Sequence, residues 1–221
     1  PILNQGLTLG IGLKTITNLI AQQVEQTGAA PVSLAGLWAQ NIMFVLIALI
    51  GVGWLTRRTF RQSLVRLGIV RPSGRDLLIG VAAALVLIPV IPILMSLFTN
   101  AGVGVDQNVE SLTELLTGAL FATPLGILSV GLAPGIGEES VFRGAMQPRF
   151  GLIITSLLFA LVHGQYGLSL ATLVVFGLGL VLGIVRNYTN TTTSMLTHAL
   201  YNSGTAMLAY LGIQFLTQQG R

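Results

Sequence analysis

The sequence lacks cysteine entirely and contains few charged residues, and both features restrict what the chain can be. Without cysteine, disulfides, a thiolate nucleophile and a Cys-ligated metal are excluded. Only 8% of the 221 residues are charged, whereas a soluble domain carries about 25%. Hydrophobic residues make up 52% of the chain, and the mean hydropathy is +0.81. Because so few charges cannot cover a water-exposed surface, the composition predicts an integral membrane protein.

Long apolar stretches predict an all-α fold, a polytopic bundle of about six to eight membrane helices. Stretches close to the roughly 20 residues that cross a bilayer fall at 36–55, 76–98, 113–133, 168–186 and 192–214. Two shorter stretches, 136–149 and 150–163, are interpreted as helices broken at Gly151. We therefore expect some of the membrane helices to be short or broken.

The domain organisation that this pattern favours is simple. Segment 1–35 is either a weak span or an amphipathic helix in the membrane interface, because its apolar residues alternate with Lys14, Asn18 and glutamines. Residues 36–221 are predicted to form a single membrane domain. Its motif-bearing core is 134–214.

Positive charge is concentrated in one loop, although the net charge of the chain is only +4. The positive-inside rule predicts that the Arg57–Arg75 loop lies on the cytoplasmic side. The membrane itself is expected to be the inner membrane of a prokaryote or of an organelle. A basic loop can also indicate nucleic-acid binding, but no fold suited to that role accompanies it. We therefore expect membrane lipids as partners, and no nucleic acid. The loop contains no acid and six arginines: Arg57, Arg58, Arg61, Arg66, Arg71 and Arg75.

An acidic pair is the first of three polar motifs in this apolar chain. Pro134 and the glycines after it predict that Glu138 and Glu139 start a helix. Glu139 and Arg143 lie four residues apart, so they share a helix face and can pair in a medium where an isolated charge is very costly. Glu138 points about 100° away and is free to act as a general base facing a cavity. Alternatively, both acids cap a helix N-terminus, where the helix dipole favours negative charge.

The two histidines of the chain supply the other motifs. His163 ends the apolar run that contains Phe159, whereas His198 and Asn202 lie four residues apart on one helix face. Each motif has an ordinary structural interpretation: a core or interfacial histidine for the first and an interhelical hydrogen-bond clamp for the second. Ionisable groups inside the membrane, however, usually mark a functional site. Their combination in three neighbouring helices favours a buried site for acid/base chemistry.

Taken in this order, Glu-Glu-x-x-x-Arg, Phe-x-x-x-His and His-x-x-x-Asn resemble the motifs of the CPBP family, also called the Abi or CAAX protease family. This family includes type II CAAX prenyl endopeptidases and bacterial proteins linked to bacteriocin processing. The resemblance implies an all-helical intramembrane endopeptidase whose site opens toward the cytoplasm.

The same resemblance assigns roles to six residues. It implies that Glu138 activates a water molecule, which His163 helps to orient and deprotonate. It also implies that His198 and Asn202 donate hydrogen bonds to the oxyanion that forms on the peptide carbonyl. The two remaining residues would support the site: Glu139 and Arg143. Nearby Ser194 is an improbable nucleophile, because it lacks the base and oxyanion setting that such a role requires.

The involvement of a metal is open at the level of sequence. Glu138, His163 and His198 would satisfy a zinc site that keeps one position for water. The His-Glu-x-x-His motif, in which one helical turn supplies both imidazoles, is absent from the sequence. Our first expectation is therefore that no cofactor is required, with a divalent metal such as zinc as the alternative.

The function predicted from these motifs is cleavage of a membrane-associated peptide or protein, with a prenylated CAAX-type substrate as one option. A second hypothesis is a family member with little or no catalytic activity that acts as a scaffold, assembly or regulatory factor. Its partner would then be another membrane complex. A third is a small transporter or channel that uses the polar groups as an ion or proton relay. The absence of a visible inverted repeat weakens this third hypothesis.

Overall fold

The computed structural model describes residues 12–101, 107–167 and 169–218, and the regular elements in these ranges are helices, as predicted. A π-helical turn, Ser140–Met146, joins the α-helix that ends at Glu139 to the one that begins at Gln147, and a 3₁₀ turn, Gly164–Tyr166, follows the helix that ends at Leu161. In chain order the α-helices are α1 Leu13–Thr27, α2 Leu34–Gly51, α3 Phe60–Arg66, α4 Gly74–Asn100, α5 Gln107–Phe121, α6 Pro124–Glu139, α7 Gln147–Leu161, α8 Leu170–Tyr188 and α9 Thr191–Gln218.

Four segments of the described chain are long and apolar enough to cross a membrane: α2, α4, the continuous unit Pro124–Leu161 and α8. They confirm the predicted integral membrane bundle, and many of their apolar side chains face outward, as for Leu78 and Ile153. The helix predicted over 192–214 is formed as α9. It is not one of the four, because its first half carries threonines, a serine, His198 and Asn202.

The single span predicted over 113–133 is wrong, because two helices share this segment. Helix α5 ends at Phe121 and α6 begins at Pro124. The Thr123 hydroxyl accepts a hydrogen bond from the Gly126 N–H at 3.0 Å, and proline occupies the first turn of α6. This is the standard start of a helix. A hydropathy pattern does not register it, because the residues at the boundary are small or apolar.

The helix start predicted near Pro134 is also wrong. Pro134 lies inside α6, so Glu138 and Glu139 end a helix and do not cap an N-terminus. A proline cannot donate to the carbonyl four residues earlier, which here belongs to Val130. The Asn202 side chain donates to that carbonyl at 3.2 Å instead. A partner from α9 thus allows the proline to remain within an apolar helix.

The break predicted at Gly151 is confirmed. This glycine has φ 75° and ψ 175° and forms a kink inside α7. The π-helical turn Ser140–Met146 widens the backbone between the acidic pair and this kink. Such π-bulges occur frequently at functional sites.

Glycines on α6 bring three helices close together around the acidic pair. A Cβ atom on Gly131 would lie 2.5 Å from the Ala199 carbonyl oxygen, and one on Gly135 would lie 2.9 Å from the Met195 carbonyl oxygen, both on α9. On the other side, a Cβ on Gly137 would lie 2.8 Å from Cα of Asn41 on α2. Small residues permit this approach in membrane bundles. Helix α6 is therefore held directly between α2 and α9.

The basic loop and the start of α9 lie at the same end of the bundle. The hydroxyl of Thr191 donates to the Leu67 carbonyl at 2.6 Å, and that of Thr192 donates to the Val70 carbonyl at 2.7 Å. From this end, His198 lies about 10 Å along α9 from Thr191 at 1.5 Å per residue. The motif residues of α9 consequently lie well inside the bundle.

At the other end, α1 is too short to span a bilayer. Its 15 residues cover about 23 Å, against a hydrocarbon core of about 30 Å. Of the two interpretations of segment 1–35, an interfacial helix that packs on α5 is the one we retain as a proposal. Residues 1–11 of this segment lie outside the described residues.

Candidate active site

Glu139 is the centre of the buried polar cluster. The side chain is fully buried, and three donors converge on it. Its Oε2 accepts from Arg143 Nε at 3.2 Å and from Ser194 Oγ at 2.5 Å, and its Oε1 lies 3.1 Å from His198 Nδ1. A buried carboxylate with three partners of this kind is held in one position, because each partner stabilises the charged form.

Arg143 is fully buried as well, and the ion pair predicted from its spacing to Glu139 is present. The guanidinium carbon lies 5.0 Å from the centre of the Phe159 ring, a cation–π contact. Its two terminal nitrogens have no hydrogen-bond partner among the described residues. Arg143 therefore donates to Glu139 through Nε, and its guanidinium group also contacts the Phe159 ring.

Glu138 and His163 form a second, more accessible pair. His163 Nε2 lies 3.9 Å from Glu138 Oε2, and the two side chains are 19% and 14% exposed. His163 Nδ1 lies 2.7 Å from the Phe159 carbonyl oxygen. Because a carbonyl oxygen can only accept, Nδ1 carries a proton and the neutral ring presents a lone pair at Nε2. Both groups that face each other across this gap are acceptors, so a water molecule between them can donate one hydrogen to each.

His198 and Asn202 lie one turn apart on α9, and each is already bound on one side. The ionised Glu139 accepts the Nδ1 proton of His198, so a neutral His198 has a lone pair at Nε2 and only the imidazolium can donate there. Asn202 uses one amide hydrogen for the Val130 carbonyl, which leaves the second hydrogen available. Both residues can therefore act on a group outside the cluster, His198 as a donor only when it is charged.

Phe159 organises the three motifs, although the sequence assigned it no role. Its ring is 1% exposed and lies 4.8 Å from the His163 ring and 6.0 Å from the His198 ring, centre to centre. With Arg143 on the same ring, Phe159 contacts one member of each motif. The ring thereby separates the accessible pair from the buried cluster.

Ser194 is the site residue that sequence reasoning missed. The sequence offers it only as an improbable nucleophile, whereas the structure places its hydroxyl on Glu139. The signal that could have found it is its position one helical turn before His198, which puts both on the same face of α9. A buried hydroxyl on the histidine face of an apolar helix is expected to bond to the same partner as the histidine.

The alternative zinc ligand set is not assembled as three converging side chains. Among the described residues, no group of three His, Cys, Asp or Glu side chains is arranged to hold a metal ion. Glu138 and His163 approach each other, whereas His198 is turned toward Glu139. The residues that could contribute to metal binding are therefore the accessible pair, with His198 Nε2 as the third donor if the site closes.

The cluster combines a partly exposed carboxylate, that of Glu138, with a fixed, buried array of charges; Glu138 Oε2, which faces His163, is buried and has no hydrogen-bond partner among the described residues. The accessible Glu138 and His163 can bind and polarise a water molecule. The buried Glu139 and Arg143 fix the positions of the neighbouring donors. Such an arrangement suits hydrolysis of a carbonyl substrate.

Comparison with known proteins identifies the segment that carries this cluster. Residues 113–204 match the family model of type II CAAX prenyl endopeptidase Rce1-like proteins. This range contains all six residues to which the sequence motifs assigned roles. No curated protein and no solved structure matches the chain. The family points to a protease of the CAAX type. The segment from within α5 to within α9 is therefore similar to the Rce1-like family of type II CAAX prenyl endopeptidases.

Proposed function

We propose that the protein is an intramembrane endopeptidase that hydrolyses a membrane-associated peptide or protein with a water molecule activated by Glu138. The observation that carries this proposal is the accessible Glu138–His163 pair, 3.9 Å apart, beside a fully buried ion pair. It lies in a segment that matches a protease family.

In the first step, the water donates hydrogen bonds to Glu138 and to His163 Nε2. The Glu138 carboxylate takes a proton from the water as the oxygen attacks the carbonyl carbon of the scissile peptide. The C–O bond that forms places negative charge on the carbonyl oxygen. General-base assistance of this kind contributes about 10²- to 10⁴-fold to a rate.

The oxyanion is stabilised by donors on α9. Asn202 offers its free amide hydrogen, and His198 offers Nε2–H when its ring is protonated. Donors fixed in advance within a dry site stabilise developing charge more than water does.

The tetrahedral intermediate then collapses. The C–N bond breaks, and protonated Glu138 returns its proton to the leaving amine. A carboxylic acid and an amine are released, and Glu138 is ionised again. Glu139, Arg143 and Ser194 do not touch the substrate in this scheme; they hold His198 and the end of α6 in place.

The proposed substrate is a lipid-anchored peptide or protein, with the prenylated CAAX type as the first choice because of the family. The Arg57–Arg75 loop is placed on the cytoplasmic side in the same proposal. No cofactor enters the proposed steps, since the base, the orienting imidazole and the oxyanion donors are all side chains of this chain.

The test is hydrolysis of a library of fluorogenic, lipid-anchored peptides by the purified protein in detergent. Glu138→Gln keeps the size of the side chain and removes the base, so we expect turnover to fall at least 100-fold. Glu110→Gln is the matched control, because it makes the same chemical change at an exposed position of α5. This control is expected to keep normal turnover.

Two further results would change the proposal. Turnover that disappears after exhaustive chelation and returns with zinc would replace the metal-independent scheme by the zinc alternative. Absence of turnover with every peptide, together with copurification of a stoichiometric membrane partner, would favour the scaffold hypothesis.

A further inference from the structure

A second candidate site lies outside the polar cluster, in the loop between α2 and α3. It is a surface pocket of about 340 Å³ at the arginine-rich end of the bundle. Seven consecutive or nearly consecutive residues line it: Trp54, Leu55, Thr56, Arg57, Arg58, Thr59 and Gln62. The lining contains two arginines and no acid. A pocket of this composition is suited to an anion.

The positive charge of this pocket has no partner within the described part of the protein. The ion pairs of that part involve only Arg143, His163 and His198. The acid at this end, Asp76, is already bound by the Ser73 N–H at 2.8 Å. Balancing charge for the pocket must therefore come from outside the described part of the chain.

The pocket is built on a fixed backbone. The Gly53 carbonyl accepts hydrogen bonds from the N–H groups of Arg57 at 3.1 Å and Arg58 at 2.9 Å. The Arg58 guanidinium donates to the Val52 carbonyl and so closes the end of α2. Gly53 has φ 102°, and a Cβ there would lie 2.8 Å from the side chain of Arg57. Arg58 is thus used by the fold, whereas the exposed Arg57 side chain lies over Gly53 without a hydrogen-bond or ion-pair partner among the described residues.

The rim of the pocket is apolar and exposed. Leu55 has φ 71°, the only positive φ at a non-glycine residue in the described chain, and it is 72% exposed. A leucine disfavours this backbone region, so an outward-pointing leucine here needs a reason. Trp54 packs edge-to-face on Phe60 at 5.6 Å, and Phe60 is 51% exposed. Tryptophan and apolar side chains at the end of a membrane span are typical of the interface between acyl chains and headgroups.

We propose that this pocket binds the phosphodiester group of an anionic phospholipid from the leaflet at the arginine-rich end. Arg57 contacts the phosphate, and Leu55 and Phe60 lie among the upper acyl carbons. The lipid source is favoured over free phosphate because the charged pocket and its apolar rim are adjacent, and only a lipid supplies a partner for both.

Trp54 provides a direct reporter. The chain has two tryptophans, so Trp38→Phe leaves Trp54 as the single fluorophore. This full-length variant is reconstituted with mixtures of phosphatidylglycerol and phosphatidylcholine, one of which carries brominated acyl chains that quench tryptophan. The relative affinity of the two lipids for the site beside Trp54 is obtained by measuring how Trp54 fluorescence is quenched as the fraction of brominated lipid in the mixture is varied. We expect phosphatidylglycerol to be preferred.

Arg57→Gln is expected to lower this preference about fivefold, the effect of one arginine near an anionic surface. Arg71→Gln, an exposed arginine of the same loop that does not line the pocket, is the matched control and should change it less than twofold. Arg57→Lys should retain most of the preference, which together with an unchanged melting temperature excludes misfolding as the cause.

Three outcomes would overturn the proposal. Equal quenching by the two brominated lipids would show that the pocket does not select the headgroup. Equal losses in Arg57→Gln and Arg71→Gln would show a diffuse charge effect. Displacement of phosphatidylglycerol by millimolar inorganic phosphate would show that the ligand is free phosphate.

Discussion

At the scale of single residues, the buried hydroxyl of Ser194 has the most direct energetic consequence. It donates to Glu139 at 2.5 Å, and a hydrogen bond to a charged group contributes about 1.5–3 kcal/mol. Ser194→Ala should therefore lower the free energy of unfolding by about that amount. The measurement is denaturant unfolding in detergent micelles.

Ser140→Ala is the matched control for this prediction. Ser140 is equally buried, but its hydroxyl donates at 2.7 Å to the Ile136 carbonyl, four residues earlier in the chain. Such local bonds contribute little to helix stability, so the loss should be below about 1 kcal/mol. Equal losses in the two variants would contradict a special role for the bond to Glu139.

The protonation of the two histidines can be observed directly. His163 donates from Nδ1 to a carbonyl at 2.7 Å, so its neutral form should be the Nδ1–H tautomer. With two histidines in the chain, selective ¹⁵N labelling gives two ring spectra, which His198→Gln assigns. A protonated Nε2 and bare Nδ1 in neutral His163 would contradict the proposed orientation of the water.

Much of the site at this scale was predictable, and the reasons are local. The Glu139–Arg143 pair follows from a four-residue spacing on a helix. The separate direction of Glu138 follows from the same geometry. The bond between Ser194 and Glu139 was not predictable from spacing, because it joins helices whose relative rotation is set by packing.

At the scale of elements, the contact of α6 with α9 depends on glycine. A Cβ on Gly131 would meet Ser203 and the Ala199 carbonyl of α9. Gly131→Ala should therefore push the helices apart, lower the free energy of unfolding by about 1–3 kcal/mol and reduce turnover. Gly177→Ala is the control, since a Cβ added there would meet nothing within 4 Å, and better helix propensity should stabilise it by up to about 1 kcal/mol.

Activity loss in both glycine variants, or in neither, would contradict this account. The expected pattern is a loss only at the position where the helices touch. A separate measurement of unfolding distinguishes a displaced α6 from an unfolded chain.

The proline inside α6 gives a second test at this scale. Asn202 replaces the N–H that Pro134 lacks by donating to the Val130 carbonyl. Asn202→Ala should cost about 1–3 kcal/mol of stability by leaving that carbonyl unpaired. In a Pro134→Ala background, a backbone N–H is available again, so the same substitution should cost less. The double-mutant cycle should give a coupling above about 0.5 kcal/mol.

The same cycle separates the two roles of Asn202. If Asn202 also stabilises the oxyanion, Pro134→Ala should restore stability to Asn202→Ala without restoring turnover. Restored turnover would assign Asn202 to the fold alone.

The two element-scale errors of the sequence prediction share a cause. Hydropathy indicates whether a segment lies in lipid or in water, but it does not show which groups satisfy the backbone hydrogen bonds of that segment. The α5–α6 boundary depends on a Thr123 cap, and the continuity of α6 through Pro134 depends on a donor from α9. Gly151 was predictable because a glycine between two apolar runs is itself the local signal.

At the scale of the whole molecule, charge is distributed along the axis of the bundle. The six arginines of the Arg57–Arg75 loop lie at the end where α9 begins, and the bonds from Thr191 and Thr192 fix this arrangement. Helix α2, with 18 residues, connects that end to Ser33 at the opposite one. The positive-inside rule then predicts that the loop and the α8–α9 turn are cytoplasmic and that the α1–α2 connection is not.

The absence of cysteine makes this orientation testable without a background, since the native chain cannot react with a thiol label. Single cysteines at exposed Thr56 and Asn187 should react with a membrane-impermeant maleimide only in inside-out vesicles. A cysteine at exposed Ala30 should react only in right-side-out vesicles. Labelling of Thr56→Cys and Ala30→Cys from the same side would contradict the assignment of α2 as a span. If each cysteine were labelled from the side opposite to the expected one, α2 would still be a span, but the proposed cytoplasmic site would lie on the other side of the membrane.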